Sequence, residues 1–295
     1  MTAWRLGIIG GSGLYDIDAL EKRRWTRIAS PWGEASDEVL TGTLNGVELA
    51  FLPRHGRGHM IPPSAINARA NIDVLKRVGC TDIVSVSAVG SLREDLPPGA
   101  LVLADQYIDR TRQRPSSFFG AGLVAHVSMA DPVCPRLSAL VQSAGDGAGA
   151  GAGAEIKPRA TYLAMEGPQF STRAESRLYR SWGCDVIGMT AMPEARLARE
   201  AELPYAALCM VTDYDCWRED NADVDVASIL AVMHANVAHA RKILAELTSV
   251  LSGVPRSPSP IDTCLDMALI TDPAKWDQDL VQKLDAICAR RFAKA

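Results

Sequence analysis

The stretch DVIGMTAMPEARLAREAELPYAALCMVTD, residues 185–213, decides the fold because it alternates between two kinds of secondary structure. The apolar runs at 185–187 and 205–212 are typical of buried strands, and the segment 193–200 between them is typical of a helix. The same order recurs upstream, where predicted helices at 65–77 and 173–182 each lead into a predicted strand. This alternation indicates an α/β fold with a largely parallel sheet.

The N-terminal part adds a strand and a hairpin to this sheet. The apolar run at 6–9 ends in Gly10-Gly11-Ser12-Gly13, which predicts a buried strand followed by a glycine loop. Asn45-Gly46 lies between extended runs at 39–43 and 47–52, and this dipeptide predicts an antiparallel hairpin. We therefore expect a single-domain mixed β-sheet flanked by helices.

The C-terminal part is predicted to be helical. Residues 224–251 have near-helical apolar spacing and predict one long helix that closes a first domain, residues 1–251. A Pro/Ser linker at 252–260 leads to a predicted helix at 277–291, so residues 252–295 form a linker and a C-terminal helical tail. The Gly/Ala-rich stretch 145–155 predicts a flexible connector without a functional role.

Composition excludes several classes of function. The chain has 295 residues and a formal net charge of −4, which leaves no basic surface to neutralise nucleic-acid phosphates. Its seven cysteines are scattered without a C-x-x-C pair, so we expect reduced thiols and no metal site. Neither a signal peptide nor an apolar stretch of about 20 residues is present, and this predicts a cytoplasmic protein without a membrane partner.

A cluster of cationic side chains follows the second hairpin strand. The segment Arg54-His55-Gly56-Arg57-Gly58-His59 begins where this strand ends. Guanidinium and imidazole groups can both donate hydrogen bonds to a phosphate dianion, and the glycines let a ligand approach the backbone. A solvated basic loop is the alternative interpretation.

Two loops with serines have two interpretations each. The loop at 10–13 lacks the third glycine of G-x-G-x-x-G, because Asp16 stands there, so it suits a single phosphate better than a dinucleotide. A plain turn explains that loop equally well. Ser87 ends a predicted strand where it can face a ligand, but the following segment from Ser91 to Glu94 can also be a capped turn.

Two further polar segments lie at predicted strand ends. Asp213 and Asp215 follow the strand 205–212, and two buried carboxyls there need solvent or a ligand. A purine suits them, because one carboxyl can protonate N7 while the other accepts a hydrogen bond from an exocyclic amine. The loop 165–173 offers Phe170 for stacking, whereas Ser171 or Thr172 can simply be a helix N-cap.

Taken together, these motifs resemble the trimeric purine nucleoside phosphorylase family, in the branch that cleaves methylthioadenosine. The matching segments occur in family order and cover most of residues 5–250: GIIGGSGL (7–14), PRHGRGH (53–59), NARAN (67–71), SAVGSLRE (87–94), DQYIDRT (105–111), EGPQFSTRAES (166–176), DVIGMTAMPE (185–194) and TDYDCW (212–217).

The resemblance implies a role for individual residues. Phosphate would be held by Ser12, Arg54, His55, Ser87, the backbone of Ala88, and Thr190. The nucleoside would be bound by Met189 at the ribose, by Phe170, Ser171, Asp213 and Asp215 at the base, and by Val226, Ile229 and Leu230 at the 5' substituent. His126 would reach the 5' pocket of a neighbouring subunit, which implies a homotrimer or a dimer of trimers.

The implied reaction uses inorganic phosphate as a co-substrate and needs no metal or organic cofactor. Breaking the N-glycosidic bond creates a ribosyl cation and an electron-rich purine, so an anion is needed at C1' and a proton at N7. Asp213 is the predicted proton donor, with the neighbouring Asp215 charge raising its pKa. Related enzymes that prefer 6-oxopurines commonly carry asparagine at position 213, so the carboxyl pair favours a 6-aminopurine.

Three alternatives remain at this stage. The first is a phosphorylase of the same fold for methylthioinosine or ordinary purine nucleosides. The second is a Rossmann-type NAD-dependent oxidoreductase, suggested by the glycine loop alone, and the third is a nucleoside-binding protein without catalysis. The chain also departs from its relatives in three places, with serine at 12 and 87, where threonine is common, and glycine at 188, where some carry asparagine.

Overall fold

The computed structural model describes residues 3–11, 13–149, 156–218 and 226–293, without the side chains of 149 and 226–231. The strands are Arg5–Gly10 (β1), Glu21–Thr26 (β2), Val39–Leu44 (β3), Val47–Pro53 (β4), Asp82–Ser91 (β5), Leu101–Asp109 (β6), Ile156–Ala164 (β7), Val186–Gly188 (β8) and Tyr205–Asp213 (β9). The helices are Ala68–Arg77 (α1), Pro135–Gly149 (α2), Arg173–Ser181 (α3), Ala191–Glu200 (α4), Val226–Leu251 (α5), Gln278–Lys283 (α6) and Ala289–Phe292 (α7).

The strands of the described residues form one mixed sheet in the order β2-β3-β4-β1-β5-β8-β7-β6-β9. Strand β5 also pairs with β9, so the five strands β5, β8, β7, β6 and β9 close into a ring. Parallel pairs such as β1/β5 and β5/β9 alternate with antiparallel pairs such as β5/β8 and β6/β9. The predicted mixed sheet flanked by helices is therefore confirmed, although it is less parallel than the alternation of elements indicates.

The register of β5 creates a gap in the sheet. One edge of β5 pairs with β9 from Ile83 to Gly90. The other edge pairs with β1 only up to Ser85, and with β8 only from Gly90 onward. Residues 86–89 consequently have no strand partner on that edge, and the carboxyl end of β1 diverges from β8 there. In α/β sheets such a divergence is where ligands collect.

The hairpin between β3 and β4 is confirmed. Leu44 pairs with Val47, and the two loop residues Asn45 and Gly46 have φ values of 50° and 79°. Positive φ at both positions is characteristic of a type I′ turn, whose twist matches that of the strands. The hairpin places the end of β4, and therefore Arg54, beside the end of β1.

Apolar side chains fill both faces of the sheet. One cluster packs α1, α4 and residues 265–288 against the sheet, and the other packs α2 and α5 against the opposite face. Neighbouring strand residues alternate between the clusters, as Ile8 and Ile9 do. This alternation is the period of two expected for strands that are covered on both faces.

Two boundary predictions are corrected. Helix α2 runs to Gly149, so only the last part of the predicted connector 145–155 remains, and it lies outside the described residues. Gly145 faces Ile156 so closely that a Cβ there would overlap it, and the small residues thus allow α2 to pack on β7. The predicted helix at 277–291 is split into α6 and α7, because the Leu284 N–H also bonds back to Val281 and tightens the turn.

The segment after Ser252 packs on the body of the same chain. Arg256 donates to the buried Asp82 at the start of β5 and to Asp262, and the indole of Trp4 donates to the Val254 carbonyl. Further along, Leu284 and Ile287 are fully buried. The predicted apolar face of the tail thus packs into the cluster that contains α1 and α4 of its own chain.

Candidate active site

Residues 86–89 of β5 form the floor of the candidate site. Ser87 is 8% exposed, and it lies opposite Cys209 of β9, while Ala88 lies opposite Met210. Both residues fall in the gap between β1 and β8, where the free edge of β5 leaves backbone groups for a ligand. Ser91 takes the turn-capping role instead: its Oγ accepts from the Arg93 N–H at 3.1 Å.

Arg54 reaches this gap but is held by the protein. Its Nε and Nη2 donate to the Glu194 carboxylate at 2.9 and 3.1 Å, and both side chains are only 3% exposed. Nη2 also donates to Ser85 Oγ, and Nη1 donates to the Val86 carbonyl. Among the described residues, one N–H of Nη1 is left without a partner, so the arginine can offer a ligand a single oriented donor.

His55 is fixed as a neutral ring. Its Nδ1 lies 2.8 Å from the carbonyl oxygen of Ile61, which can only accept, so Nδ1 carries the hydrogen. Burial lowers the pKa of His55 to about 4, and the positive charge of Arg54 acts in the same direction. At neutral pH, without a bound anion, Nε2 is therefore an acceptor, which suits a protonated phosphate oxygen; donation from His55 to phosphate stays a prediction.

Met189 and Thr190 connect β8 to α4 on the other side of the gap. Thr190 is the N-cap residue of α4, yet its side chain makes no capping hydrogen bond; the half-buried hydroxyl bonds to Tyr162 and can exchange this bond for one to a ligand. Gly188 faces the hydroxyl of Tyr162 so closely that a Cβ would overlap it. The glycine at 188 is therefore required by Tyr162 in this chain.

Asp213 and Asp215 lie at the end of β9 beside Gly90, where a Cβ would be 2.9 Å from Asp213 Oδ1. Burial raises the pKa of Asp213, opposed by hydrogen bonds from the Thr212 hydroxyl and the Asp215 N–H. Burial also raises the pKa of Asp215, and there the Asp213 charge contributes. The repulsion between the two carboxylates belongs to the pair, and it favours a state in which one of them holds a proton. Asp215 Oδ2 is buried without a hydrogen-bond partner.

The loop before α3 brings an aromatic ring and a hydroxyl to the same region. Phe170 is 47% exposed, and the Ser171 carbonyl accepts from the thiol of Cys216, which links this loop to the segment after β9. The N-cap of α3 is Thr172, which forms a capping box with Glu175. Ser171 is therefore not the cap, and its hydroxyl donates a long bond of 3.7 Å to Met165 Sδ, which a bond to the base can replace.

The structure leaves some predicted site residues undescribed. Ser12 lies outside the described residues, as do the side chains of Val226, Ile229 and Leu230, although these three belong to α5. His126 is exposed, and its N–H donates to the Ala268 carbonyl on the surface. Its predicted target, the pocket of another subunit, lies outside a single chain.

Sequence reasoning missed Glu194 and Arg114. Glu194 is in a family motif, but nothing in the sequence indicates that it pairs with Arg54, 140 residues away. Arg114 follows the motif DQYIDRT, and it contacts Glu166 and Met189 in two other loops. The sequence offers one signal for Glu194 and Arg114: each is a charged residue that does not belong to a pattern of exposed charges.

Three further properties of the described residues concern metal ligands, membrane-spanning helices and disulfides. No group of three or more His, Cys, Asp or Glu side chains among them is arranged to hold a metal ion. Likewise, within the described part of the chain, no helix is long and apolar enough to cross a membrane. All seven cysteines are free, and five of them are buried.

Comparisons with known proteins identify the family of the chain. The model of the phosphorylase superfamily matches residues 5–249. The S-methyl-5'-thioadenosine phosphorylase of Cereibacter sphaeroides is 55% identical, with 97% of both chains covered. That of Rhodospirillum rubrum is 54% identical over 97% of this chain and 96% of its own length.

Solved structures give the same result. A methylthioadenosine phosphorylase sourced from an antarctic soil metagenomic library superposes with a TM-score of 0.91 at 46% identity, covering 97% of this chain and 99% of that one. The apo methylthioadenosine phosphorylase of Schistosoma mansoni has a TM-score of 0.78 at 32% identity, covering 97% and 98%. The resemblance seen in the sequence motifs is thus confirmed and the oxidoreductase alternative is wrong: this chain belongs to the phosphorylase superfamily.

Proposed function

We propose that this protein is an S-methyl-5'-thioadenosine phosphorylase, which converts its substrate and inorganic phosphate into adenine and 5-methylthioribose 1-phosphate in purine and methionine salvage. The observation that carries the proposal is the pair of carboxyls, half-buried Asp213 and buried Asp215, beside the gap in the sheet at Ser87 and Ala88. The names of relatives 45–55% identical over nearly their whole length support it.

The mechanism follows from where charge develops. The bond between purine N9 and ribose C1' breaks, its electron pair moves into the purine, and a phosphate oxygen forms the new bond to C1'. The ribosyl cation is stabilised by the phosphate anion, which is bound by Ser12, Arg54, His55, Ser87, the Ala88 backbone and Thr190. Asp213 donates a proton to N7, so the base leaves as neutral adenine.

Burial supports the donor role of Asp213. A carboxyl must hold its proton at neutral pH to donate it, and the raised pKa of Asp213 acts in that direction. The buried and unpartnered Oδ2 of Asp215 is an acceptor suited to the 6-amino group of adenine. A 6-oxopurine would place an acceptor against this oxygen, so we favour methylthioadenosine over methylthioinosine or inosine.

The remaining contacts orient the nucleoside. Met189 contacts the ribose, Phe170 packs on the base, and the Ser171 hydroxyl bonds to it. Val226, Ile229 and Leu230 line the 5' pocket, where their apolar side chains suit a methylthio group better than a hydroxyl. The reaction needs no metal or organic cofactor, because phosphate supplies the anion and Asp213 supplies the proton.

The assembly is proposed to be a homotrimer, or a dimer of trimers, in the cytoplasm, with nucleoside and phosphate as its small-molecule partners and no nucleic-acid or membrane partner. His126 would complete the 5' pocket of a neighbouring subunit. Met267 is 93% exposed and Ile270 is 62% exposed, and both flank the bridge between Ala125 and Leu269 beside His126. An apolar surface of this kind supports a subunit interface there.

A panel of nucleosides tests the proposed specificity. Release of free base in phosphate buffer is measured for methylthioadenosine, adenosine, methylthioinosine and inosine. We expect the highest kcat/KM for methylthioadenosine. A clear preference for the two inosines would show that the same fold serves the 6-oxopurine reaction instead.

Light scattering on the same preparation tests the proposed assembly. A mass equal to that of one chain would contradict the trimer.

A further inference from the structure

Arg114 joins three separate segments of the candidate site. Its side chain is 4% exposed and lies in the loop after β6. Nε donates to Glu166 Oε1 at 2.9 Å and Nη2 donates to the Glu166 carbonyl at 2.6 Å. Nη1 donates to the carbonyls of Met189 and Met192, the latter at 2.9 Å. One guanidinium thus holds the backbone on both sides of Thr190.

The Glu166 carboxylate completes the connection. Its Oε2 accepts from the backbone N–H of Arg112 at 2.6 Å and of Gln113 at 3.3 Å. Burial alone would raise the pKa of Glu166, but the Arg112 N–H and the Arg114 guanidinium hold it below its usual value. The carboxylate therefore stays ionised, and the connection persists at neutral and mildly acidic pH.

The two segments that Arg114 connects carry different parts of the proposed site. Residues 189–190 contact the ribose and phosphate, and the loop from Glu166 leads to Phe170 and Ser171 at the base. The segments also touch directly, since a Cβ on Gly167 would lie 2.5 Å from Met189 Sδ. A shift at either segment would therefore change how the ribose and the phosphate are aligned with the purine.

We propose that Arg114 is a positioning residue for phosphorolysis: through the carbonyls of Met189 and Glu166 it fixes the ribose- and phosphate-binding segment relative to the base-binding loop. This inference rests on the proposed function. Arg114 touches neither substrate in this account, and it acts through the backbone of residues that do. Its forked geometry matters, because a lysine ammonium cannot reach a carboxylate and three carbonyls at once.

The variant R114K tests this role. Steady-state kinetics are measured at 25 °C with phosphate and nucleoside varied separately, together with near-UV circular dichroism and Tm. We expect a native spectrum, a raised KM for both substrates and a lower kcat, with kcat/KM reduced about 10- to 100-fold, as for a misplacement of about 1 Å at reacting groups. E166Q should show the same pattern with a smaller loss, and it serves if R114K does not fold.

R256K is the matched control. Like Arg114, Arg256 has a buried side chain. It pairs with two carboxylates, those of Asp82 and Asp262, and it lies at the opposite end of β5. We expect R256K to lower Tm and leave kcat and both KM values unchanged. If R114K behaved as R256K does, with a lower Tm and wild-type kinetic constants, a positioning role would be refuted. A wild-type protein without phosphorolysis would instead refute the proposed function.

Discussion

The backbone N–H of Asp215 donates to Oδ1 of Asp213 at 2.7 Å, so the two acidic residues are joined by a bond from the Asp215 main chain to the Asp213 carboxyl. The Asp213 oxygens are then both engaged, since Oδ2 accepts from Thr212 Oγ1. Asp215 adopts a φ of 51° in this turn, and its Oδ2 is left buried without a partner. This geometry thus gives both Asp213 oxygens a hydrogen bond and leaves one buried Asp215 oxygen without one.

Replacing Asp213 by asparagine should change base selectivity. An amide cannot deliver a proton to N7 of adenine, so D213N should lose about 10²- to 10⁴-fold in kcat on methylthioadenosine, the usual contribution of a general acid. The loss on methylthioinosine should be smaller, because an amide can bond to a 6-oxopurine. Equal losses on both nucleosides would remove Asp213 from the discriminating role.

Thr190 should affect phosphate binding more than stability. Its hydroxyl does not cap α4 but bonds to Tyr162, so T190A should lower the free energy of unfolding by at most about 1 kcal/mol. Loss of a hydrogen bond to a charged ligand should raise the phosphate KM about 10-fold or more. The control is T172A, which removes the capping box of α3 and should cost about 1 kcal/mol in stability while the phosphate KM stays unchanged. An unchanged phosphate KM in T190A would contradict the assignment.

Breaking the buried pair of Arg54 and Glu194 should cost more stability than breaking an exposed ion pair. E194Q leaves a buried guanidinium without its counter-charge, and we expect urea denaturation to show a loss of about 3–5 kcal/mol. The matched change E38Q breaks the exposed pair with Arg57 and should cost at most about 1 kcal/mol. Comparable losses in the two variants would show that Glu194 is not the counter-charge that holds Arg54.

Glu200 should make stability fall as the pH rises. Burial raises its pKa from 4.5 to about 7, although the Phe118 N–H and the Ser117 hydroxyl bond to the carboxylate. The folded state therefore holds the proton more tightly than the unfolded chain. Its contribution is complete below pH 4.5 and is lost towards pH 7, at a cost on the order of 3 kcal/mol.

The measurement for Glu200 is the difference in unfolding free energy between wild type and E200Q from pH 4.5 to 8. E200Q should lack this loss, because glutamine can accept from the Phe118 N–H without carrying a charge. The contribution of His55 is the same in both proteins and cancels in this difference. Its lowered pKa makes stability rise with pH between about 4 and 6.5. Parallel pH profiles in the two proteins would contradict the prediction.

Local signals explain why much of the fold could be predicted. The Asn45-Gly46 turn and the apolar runs of β1, β5 and β9 are specified by neighbouring residues. Strand β2, with the sequence EKRRWT, was missed because it is an exposed edge strand without an apolar period. The closure of the ring by β5 and β9 depends on long-range register, and no local pattern encodes it.

The site also combines features that local sequence predicts with features that depend on long-range contacts. Residues at strand ends, such as His55 and Asp213, are visible in sequence because polar groups follow buried strands. Their protonation states are not visible, since that of His55 depends on how the following loop folds back to place the Ile61 carbonyl, and the raised pKa of Asp213 depends on burial. Arg114 and Glu194 act across 52 to 140 residues of sequence, which only the folded chain brings together.

The most direct test of the account is whether cleavage of methylthioadenosine depends on phosphate. The purified protein is incubated with the nucleoside with and without inorganic phosphate, and adenine and sugar phosphate are quantified. We predict equal amounts of adenine and 5-methylthioribose 1-phosphate with phosphate, and essentially no cleavage without it. Cleavage at the same rate in the absence of phosphate, or an untouched nucleoside in its presence, would contradict the account.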